Sequence, residues 1–235
     1  MINQKYPLVW SKDDFFIKIF CSIPNIATGI LIKADDMNIV VDPGDGILRD
    51  LNVEIGAKNI INISHIFISH GHHDHLGGLW SLFTYLKVMN KKDTLNLYFP
   101  EGCKEIKTIY DAFKKVYGKS ITFDVNLNGI SEFHSIKVKK VSVKPFPVVH
   151  KEHSESKESV PSLGFNFTYG QKKICYGGDT AFCETLAKNV KNADLAIIEA
   201  GNKEAEADGI HMTINEAMNL GKTAKEYFLV HMPKN

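Results

Sequence analysis

The sequence predicts an α/β fold, an αββα sandwich of two mixed β-sheets with helices on the outside. Three observations carry that expectation. Segments of strand and helix character alternate through both halves of the chain. Apolar residues fill 44% of 235 positions, ample for a buried core. Several apolar strands run into a histidine or an aspartate, at His70, His150, Asp179 and His231, which would gather these side chains on one rim of a sandwich. The length fits one large domain or two small ones. No internal repeat or linker-like stretch divides it, so residues 1–235 are expected to form one domain.

The first half reads as follows. Phe15 to Phe20 has the aromatic and β-branched content of a strand and is broken by Pro24-Asn25. Thr28 to Ala34 and Met37 to Val41 are two more strands, joined by a turn at Asp35-Asp36. The second ends in the sharp loop Asp42-Pro43-Gly44-Asp45-Gly46, after which Ile47, Leu48, Leu51 and Ile55 recur at helical spacing up to Gly56. Ile63, Ile66, Phe67 and Ile68 mark a buried strand, Leu79 to Val88 a helix and Leu95 to Phe99 a strand. Ile106, Ile109, Tyr110, Phe113 and Val116 form the stripe of a helix over Glu101 to Tyr117, stopped by Gly118.

In the second half, Ile121 to Leu127 and Ser135 to Val143 read as strands, and Phe146 to His150 as a short strand ending in histidine. Lys151 to Pro161 is a charged, serine-rich loop of the kind that forms lids beside sites. Leu163 to Tyr169 and Lys173 to Tyr176 suggest a hairpin around Gly170. Thr180 is placed to cap a helix from Ala181 to Asn189. Ala193 to Ala200 is a buried strand, followed by the loop Gly201 to Ile210. Thr213 and Glu216 stand at capping-box spacing for a helix reaching Ala224, and Tyr227 to Val230 is a last strand before His231.

Composition excludes several classes. A net charge of +1 gives no long-range field for nucleic acid or membrane. Lys137, Lys139, Lys140 and Lys144 form a small basic cluster, read as a solvated strand face in preference to a phosphate-steering rim. Cys21, Cys103, Cys175 and Cys183 make no CxxC pair and suit reduced core residues, so a cytoplasmic protein is expected. The segment Met1 to Pro7 has no apolar signal character. No apolar run approaches the ~18 residues a membrane span needs.

The chemistry concentrates in residues 63–79. There His70, His72, Asp74 and His75 place four good metal ligands within six positions, after the strand and before Gly77-Gly78. On a helix they would fan out by about 100° per residue, and on a strand His75 would face away from Asp74. A tight turn can aim His70 and His72 at one point and Asp74 and His75 at another. Imidazole with carboxylate and no thiolate suits Zn²⁺, Mn²⁺ or Fe²⁺.

This His70-x-His72-x-Asp74-His75 pattern after an apolar strand resembles the metallo-β-lactamase-fold hydrolases. The resemblance implies a fold of two sheets with one or two metals between them, and it spans roughly residues 15–233. It implies that His70, His72 and His150 hold one divalent ion, that Asp74, His75 and His231 hold a second, and that Asp179 bridges them. Zinc is the leading metal, with manganese or iron as alternatives. Asp42, after the strand Ile39-Val40-Val41, resembles the buried aspartate that orients a metal-binding histidine. Two close cations lower the pKa of a bound water and take up charge on the leaving oxygen, so no serine or cysteine nucleophile is needed. With His72 in place of glutamate, the pattern departs from the flavin-linked di-iron oxidoreductases of the same fold.

Ile198-Glu199-Ala200 and His211-Met212-Thr213 resemble the ribonuclease Z and phosphodiesterase branch, as do Ser69-His70, Leu76-Gly77-Gly78-Leu79 and Ser162-Leu163-Gly164-Phe165. The resemblance gives Asp74 and His211 catalytic roles, His211 touching the scissile phosphate or protonating the leaving group. The expected substrate is RNA or a small phosphodiester, and a homodimer is compatible with it. The long glycine- and proline-rich arm that grips tRNA in bacterial ribonuclease Z has no counterpart here, which puts tRNA processing in doubt. Alternatives are hydrolysis of a carboxylic ester, thioester, lactone or β-lactam by the same metals, and a metal-stabilised binding subunit. His73 is read as exposed or as touching a ligand. His65, His134 and His153 have no assignment, although His153 could reach the site from its loop.

Overall fold

The computed structural model describes residues 5–153, 155–156, 158–202 and 209–233. The first sheet contains β1 (Leu8–Lys12), β2 (Phe15–Ile23), β3 (Ala27–Ala34), β4 (Met37–Val41), β5 (His65–Phe67), β6 (Leu95–Pro100) and β7 (Val125–Ile130), side by side in chain order. The second contains β8 (Ile136–Val138), β9 (Val141–Pro147), β10 (Leu163–Tyr169), β11 (Lys172–Tyr176), β12 (Leu195–Glu199) and β13 (Tyr227–Val230), again in order. Side chains of period two decide which layer each residue joins. Ile30, Ile32, Ile39, Val41 and Phe67 face inward and meet Val141, Val143, Phe165, Phe167, Ile174 and Ile197 of the other sheet. Leu31, Val40 and Ile66 face outward instead, under α1 (Ile47–Ile55), α4 (Leu79–Val88) and α5 (Lys104–Tyr117). On the far side Cys175, Ala196, Ile198 and Leu229 lie under α6 (Glu184–Val190) and α7 (Ile214–Gly221). The short helices α2 (Ala57–Ile60) and α3 (His73–Leu76) complete the set. Three apolar layers between four layers of structure make this the expected αββα sandwich.

Strand direction positions the site. β4, β5 and β6 are mutually parallel, as are β11, β12 and β13, and β9 and β11 both run antiparallel to the intervening β10. The carboxyl ends of β4, β5, β9, β11, β12 and β13 therefore open onto one rim. Ligands collect outside such strand ends in sheets of this kind.

Several elements depart from the sequence reading. β1 was not anticipated; Leu8 and Trp10 are buried while Val9 is exposed, the pattern of an edge strand covering one face. The strand expected over Ser135–Val143 is two, because the chain turns at Lys139 with φ 50°. β9 then continues to Pro147, since Pro145 and Pro147 lie beyond the reach of β8 and need no donor on that edge. Val148 to His150 is consequently not strand; Val149 makes a single bridge to Ala181. The strand expected at Ile121–Leu127 begins at Val125 and ends at Ile130. Thr180 caps no helix: α6 begins at Glu184, and the buried Thr180 hydroxyl accepts from Val149 N at 3.0 Å and lies 3.1 Å from Val149 O. The capping box of Thr213 and Glu216 is present. Lys139 and Lys140 pair with Asp36 and Asp35 at the start of β9, the end away from His150, so the basic cluster is no phosphate rim. All four cysteines are free, and Cys103 and Cys175 are buried. Among the described residues no helix is long and apolar enough to cross a membrane. Met1 to Gln4, Ser154 and Lys157 of the 151–161 loop, and 203–208 of the 201–210 loop lie outside the described residues.

Candidate metal centre

The loop after β4 and the turn after β5 are packed backbone against backbone. A Cβ on Gly44 would stand 2.1 Å from Asp74 O, so only glycine permits this approach. Gly78 N donates to Pro43 O at 2.8 Å and closes the same contact. His70 and His72 sit on the turn itself. Asp74 and His75 lie on α3, a single helical turn that the sequence reading did not include. Two residues at the rim hold positive φ without being glycine, Asp42 at 45° and His231 at 55°. Such strained backbone marks positions where side-chain placement matters more than local comfort.

The residues anticipated from sequence come together as two donor groups. His70, His72 and His150 form one, and Asp74, His75, Asp179 and His231 the other; in each, one nitrogen or oxygen per residue lies within 4.8 Å of all the rest. The groups adjoin through His70 and His75, whose ring centroids are 4.1 Å apart. All but His72 are buried. In the first group His150 Nε2 is 3.1 Å from His72 Nδ1. In the second, His231 Nε2 is 3.1 Å from Asp74 Oδ2 and 3.0 Å from Asp179 Oδ2, and His75 Nε2 is 3.3 Å from Asp179 Oδ2.

The ring nitrogens are sorted by their other neighbours. His75 Nδ1 is 2.8 Å from Asp42 Oδ2, His70 Nδ1 is 3.0 Å from Ser69 Oγ, and His150 Nδ1 is 3.4 Å from Ile210 O. Each of these histidines therefore turns Nε2 to its group. His72 does the reverse, with Nε2 3.0 Å from Glu152 Oε2 and Nδ1 turned inward. Asp42 is buried as anticipated, and it also accepts from Ser69 N at 2.6 Å, Ser69 Oγ at 2.7 Å and Tyr176 OH at 2.5 Å.

These residues fit divalent ions. His70 Nε2 and His75 Nε2 are buried without a hydrogen-bond partner. Asp42, Asp74, Asp179 and Glu199 are buried, and among the described residues their ion-pair partners are histidines, with no lysine or arginine. Buried carboxylates without fixed cations call for positive charge. The titration of the histidines shows the same imbalance. Burial pushes His70 well below the ordinary imidazole value and His150 down to about 4. Burial acts on His75 too, but Asp179 and Asp42 outweigh it and hold its pKa well above the ordinary value. Burial would raise Asp179, but His231 and His75 hold it well below the carboxylate range.

His211 stands beside both groups. Its ring centroid is 5.0 Å from that of His231 and 5.3 Å from that of His150, and it keeps some exposure to solvent. Its Nδ1 is 3.0 Å from Glu199 Oε1. Glu199 is fully buried and accepts from Thr180 N at 3.0 Å and Gly201 N at 2.6 Å. Burial raises its pKa.

Other histidines are elsewhere or exposed. His73 is exposed, His65 lies by Ser64, and His134 bonds to Ser131. His153 is exposed, and it is Glu152 that reaches the site from the 151–161 loop. Glu152 and Tyr176 had no role in the sequence reading, and Ser69 and Glu199 entered it only as part of the family resemblance. Glu199 carried a usable signal, a carboxylate closing the otherwise apolar run Leu195 to Ile198.

Fold and site together define a metal-dependent class of hydrolase. The chain belongs to the beta-lactamase superfamily: the model of the Beta-lactamase superfamily domain matches residues 37–232. Ribonuclease Z of Pyrococcus horikoshii is 26% identical over 260 residues, covering 89% of this chain and 79% of that protein. Ribonuclease Z of Methanothermobacter thermautotrophicus is 23% identical over 251 residues, covering 87% and 80%. Among solved structures, YhfI of Bacillus subtilis, a metallo-beta-lactamase fold protein, superposes with TM-score 0.76 at 19% identity over 95% of this chain and 88% of that one. The short form of human tRNase Z gives 0.74 at 21% identity over 93% and 92%. A diphosphatase of the PhnP family gives 0.67 at 16% identity over 92% and 86%. The structural likenesses establish the fold. The chain is a hydrolytic enzyme of this superfamily, and the fold implies divalent metal ions.

Proposed function

We propose that this enzyme hydrolyses a phosphodiester, using two divalent ions held by the two donor groups. His70, His72 and His150 would hold one ion, Asp74, His75 and His231 the other, and Asp179 would serve both. Zinc suits the mixture of imidazole and carboxylate. When bound, the ions supply a water of lowered pKa and a Lewis acid at the bond under attack. Asp74 Oδ2 lies 3.1 Å from His231 Nε2 and also accepts from Asn25 N at 3.1 Å, which holds the carboxylate in place. Asp42 keeps His75 in the tautomer that turns Nε2 inward.

The observation that carries the phosphodiester reading is His211. Glu199 lies 3.0 Å from its Nδ1 and sets the ring beside both donor groups. From there His211 would donate a proton to the leaving alkoxide or a hydrogen bond to a non-bridging phosphate oxygen. An acyl substrate with a good leaving group has less need of such a donor. The relatives named ribonuclease Z and the PhnP-family diphosphatase support phosphate chemistry. Glu152, which faces the rim, and the paired Lys139 and Lys140 at the opposite end favour a small diester over RNA.

His211→Ala tests this reading. It should slow cleavage of an alkyl phosphodiester by about 10²–10⁴-fold. The loss should shrink on bis-p-nitrophenyl phosphate, whose leaving group needs no proton, and metal content should stay unchanged. Equal small losses on both substrates would reopen the carboxylic-ester reading. Parallel assays on a tRNA precursor, a thioester and nitrocefin decide the substrate class.

A further inference from the structure

We propose that Tyr176 is a positioning residue for the second donor group, acting through Asp42. The inference rests on the reading of His75 and Asp179 as ligands of one ion. Tyr176 is the last residue of β11, and Asp179 follows three positions later on the same rim. Its buried hydroxyl crosses from the second sheet to the first and donates to Asp42 Oδ2 at 2.5 Å.

Four donors meet at that carboxylate. Ser69 N reaches Oδ1, while Ser69 Oγ, His75 Nδ1 and Tyr176 OH reach Oδ2. A carboxylate with both oxygens engaged in this way has a fixed plane. Three of the donors come from the turn after β5 and the helix α3 that follows it. Tyr176 alone among the four comes from the strand that leads into Asp179, so its bond ties the orientation of His75 to the placement of Asp179.

Gly178 strengthens the same junction. It has φ 63°, and a Cβ there would lie 2.8 Å from Ser69 Cβ, so the end of β11 rests directly on the metal turn. Leu163 N donates to Ser69 O at 2.9 Å beside it. Without the hydroxyl, Asp42 keeps three donors on one side and gains freedom to pivot toward them. His75 then loses the fixed partner that sets its ring. The first donor group meets the change at second hand, through Ser69 beside His70 and through the shared Asp179.

Tyr176→Phe removes the hydroxyl and keeps the ring. Zn²⁺ affinity of each ion would be measured by competition with a chromophoric chelator. The Co²⁺-loaded protein would be compared by visible absorption, and the unfolding midpoint of the metal-free protein recorded. The expected result is about tenfold weaker binding of one ion, at the lower end for a partner of a metal-ligating histidine. The other ion should change by less than about threefold, and the Co²⁺ spectrum should shift for the weakened site. Asp42→Asn is the reference and should weaken the same ion more. Wild-type affinities in Tyr176→Phe, with one ion weakened in Asp42→Asn, would overturn the proposal. So would equal losses of both ions with a lowered unfolding midpoint, which would make Tyr176 a folding residue. If His75→Ala also left both affinities intact, the ligand reading beneath the proposal would fall with it.

Discussion

The two donor groups lie side by side but are built on different principles. The first is three imidazoles, one of them half-buried and facing a carboxylate on a surface loop. The second is two imidazoles and two carboxylates, all buried, with Asp42 saturated behind it. The first group brings no charge to a cation; the second brings two negative charges plus a third one atom layer behind. The second should therefore bind its ion more tightly and hold it in a stiffer frame, while the first should exchange more readily and respond to the loop above it. Removing Asp179, the residue proposed to serve both, gives the largest effect. Asp179→Ala should lower both affinities by more than the roughly 10²-fold that marks an outer partner. Elemental analysis should then find neither ion after dialysis. Anomalous scattering on the wild-type protein should show two ions about 3.5–4 Å apart. One fully occupied site with Asp179 turned away would end the comparison.

Asp42→Asn sharpens the contrast. The amide must present its NH2 either to Ser69 N, in place of Oδ1, or to Ser69 Oγ, His75 Nδ1 and Tyr176 OH, in place of Oδ2, so one side of the network becomes repulsive. The second ion should bind about 10–100-fold more weakly and the first should stay close to wild type. Equal weakening would mean that Asp42 supports the rim as a whole.

The titration of the two groups differs in sign, and that yields a pH test. In the metal-free protein Asp179 and Asp42 keep a proton on His75 well above the ordinary imidazole range. An ion entering the second group displaces that proton, so its affinity should rise by about tenfold per pH unit across neutrality. In the first group His70 is pushed well below the ordinary value and His150 to about 4, so both are already neutral. Proton competition from these two begins only in acid, so neither makes affinity depend on pH near neutrality. Calorimetric Zn²⁺ titrations in buffers of different ionisation enthalpy would count the released protons for each ion. Equal proton release would show that the groups do not differ in this way.

Much of this arrangement was legible in the sequence because it is local. The HxHxDH turn follows from short-range pattern, His150, Asp179 and His231 from their places just past apolar runs, and Asp42 from the family resemblance. Burial faces followed from period two, which is why the layers came out correctly. What sequence could not show were pairings across the sandwich. The Tyr176–Asp42 bond spans 134 positions, and the Glu152–His72 contact spans 80. Side-chain period says which face a residue joins, but the partner on that face depends on how two sheets stack. Thr180 failed for a related reason. Its hydroxyl had a helix to cap by spacing, but the approach of Val149 gave it backbone partners first.

The smallest expected effect lies at Glu152, and it concerns the exposed side of the first group. Its carboxylate is 65% exposed and His72 28% exposed, so water competes for both ends of the contact. It nevertheless sets which nitrogen of His72 carries the proton, since Nε2 faces Glu152 and Nδ1 faces His150. Glu152→Gln keeps an acceptor oxygen in place, and Glu152→Ala removes it. The first ion should bind a few-fold more weakly in the alanine variant, below the 10–100-fold of a buried partner, and near wild type in the glutamine variant. The second ion should be untouched in both. Chelator competition reads the two affinities separately. A loss as large as that of Asp42→Asn would show that the loop encloses the first group in solution and would erase the difference between the groups. No loss in either variant would leave His72 oriented by His150 and the turn alone.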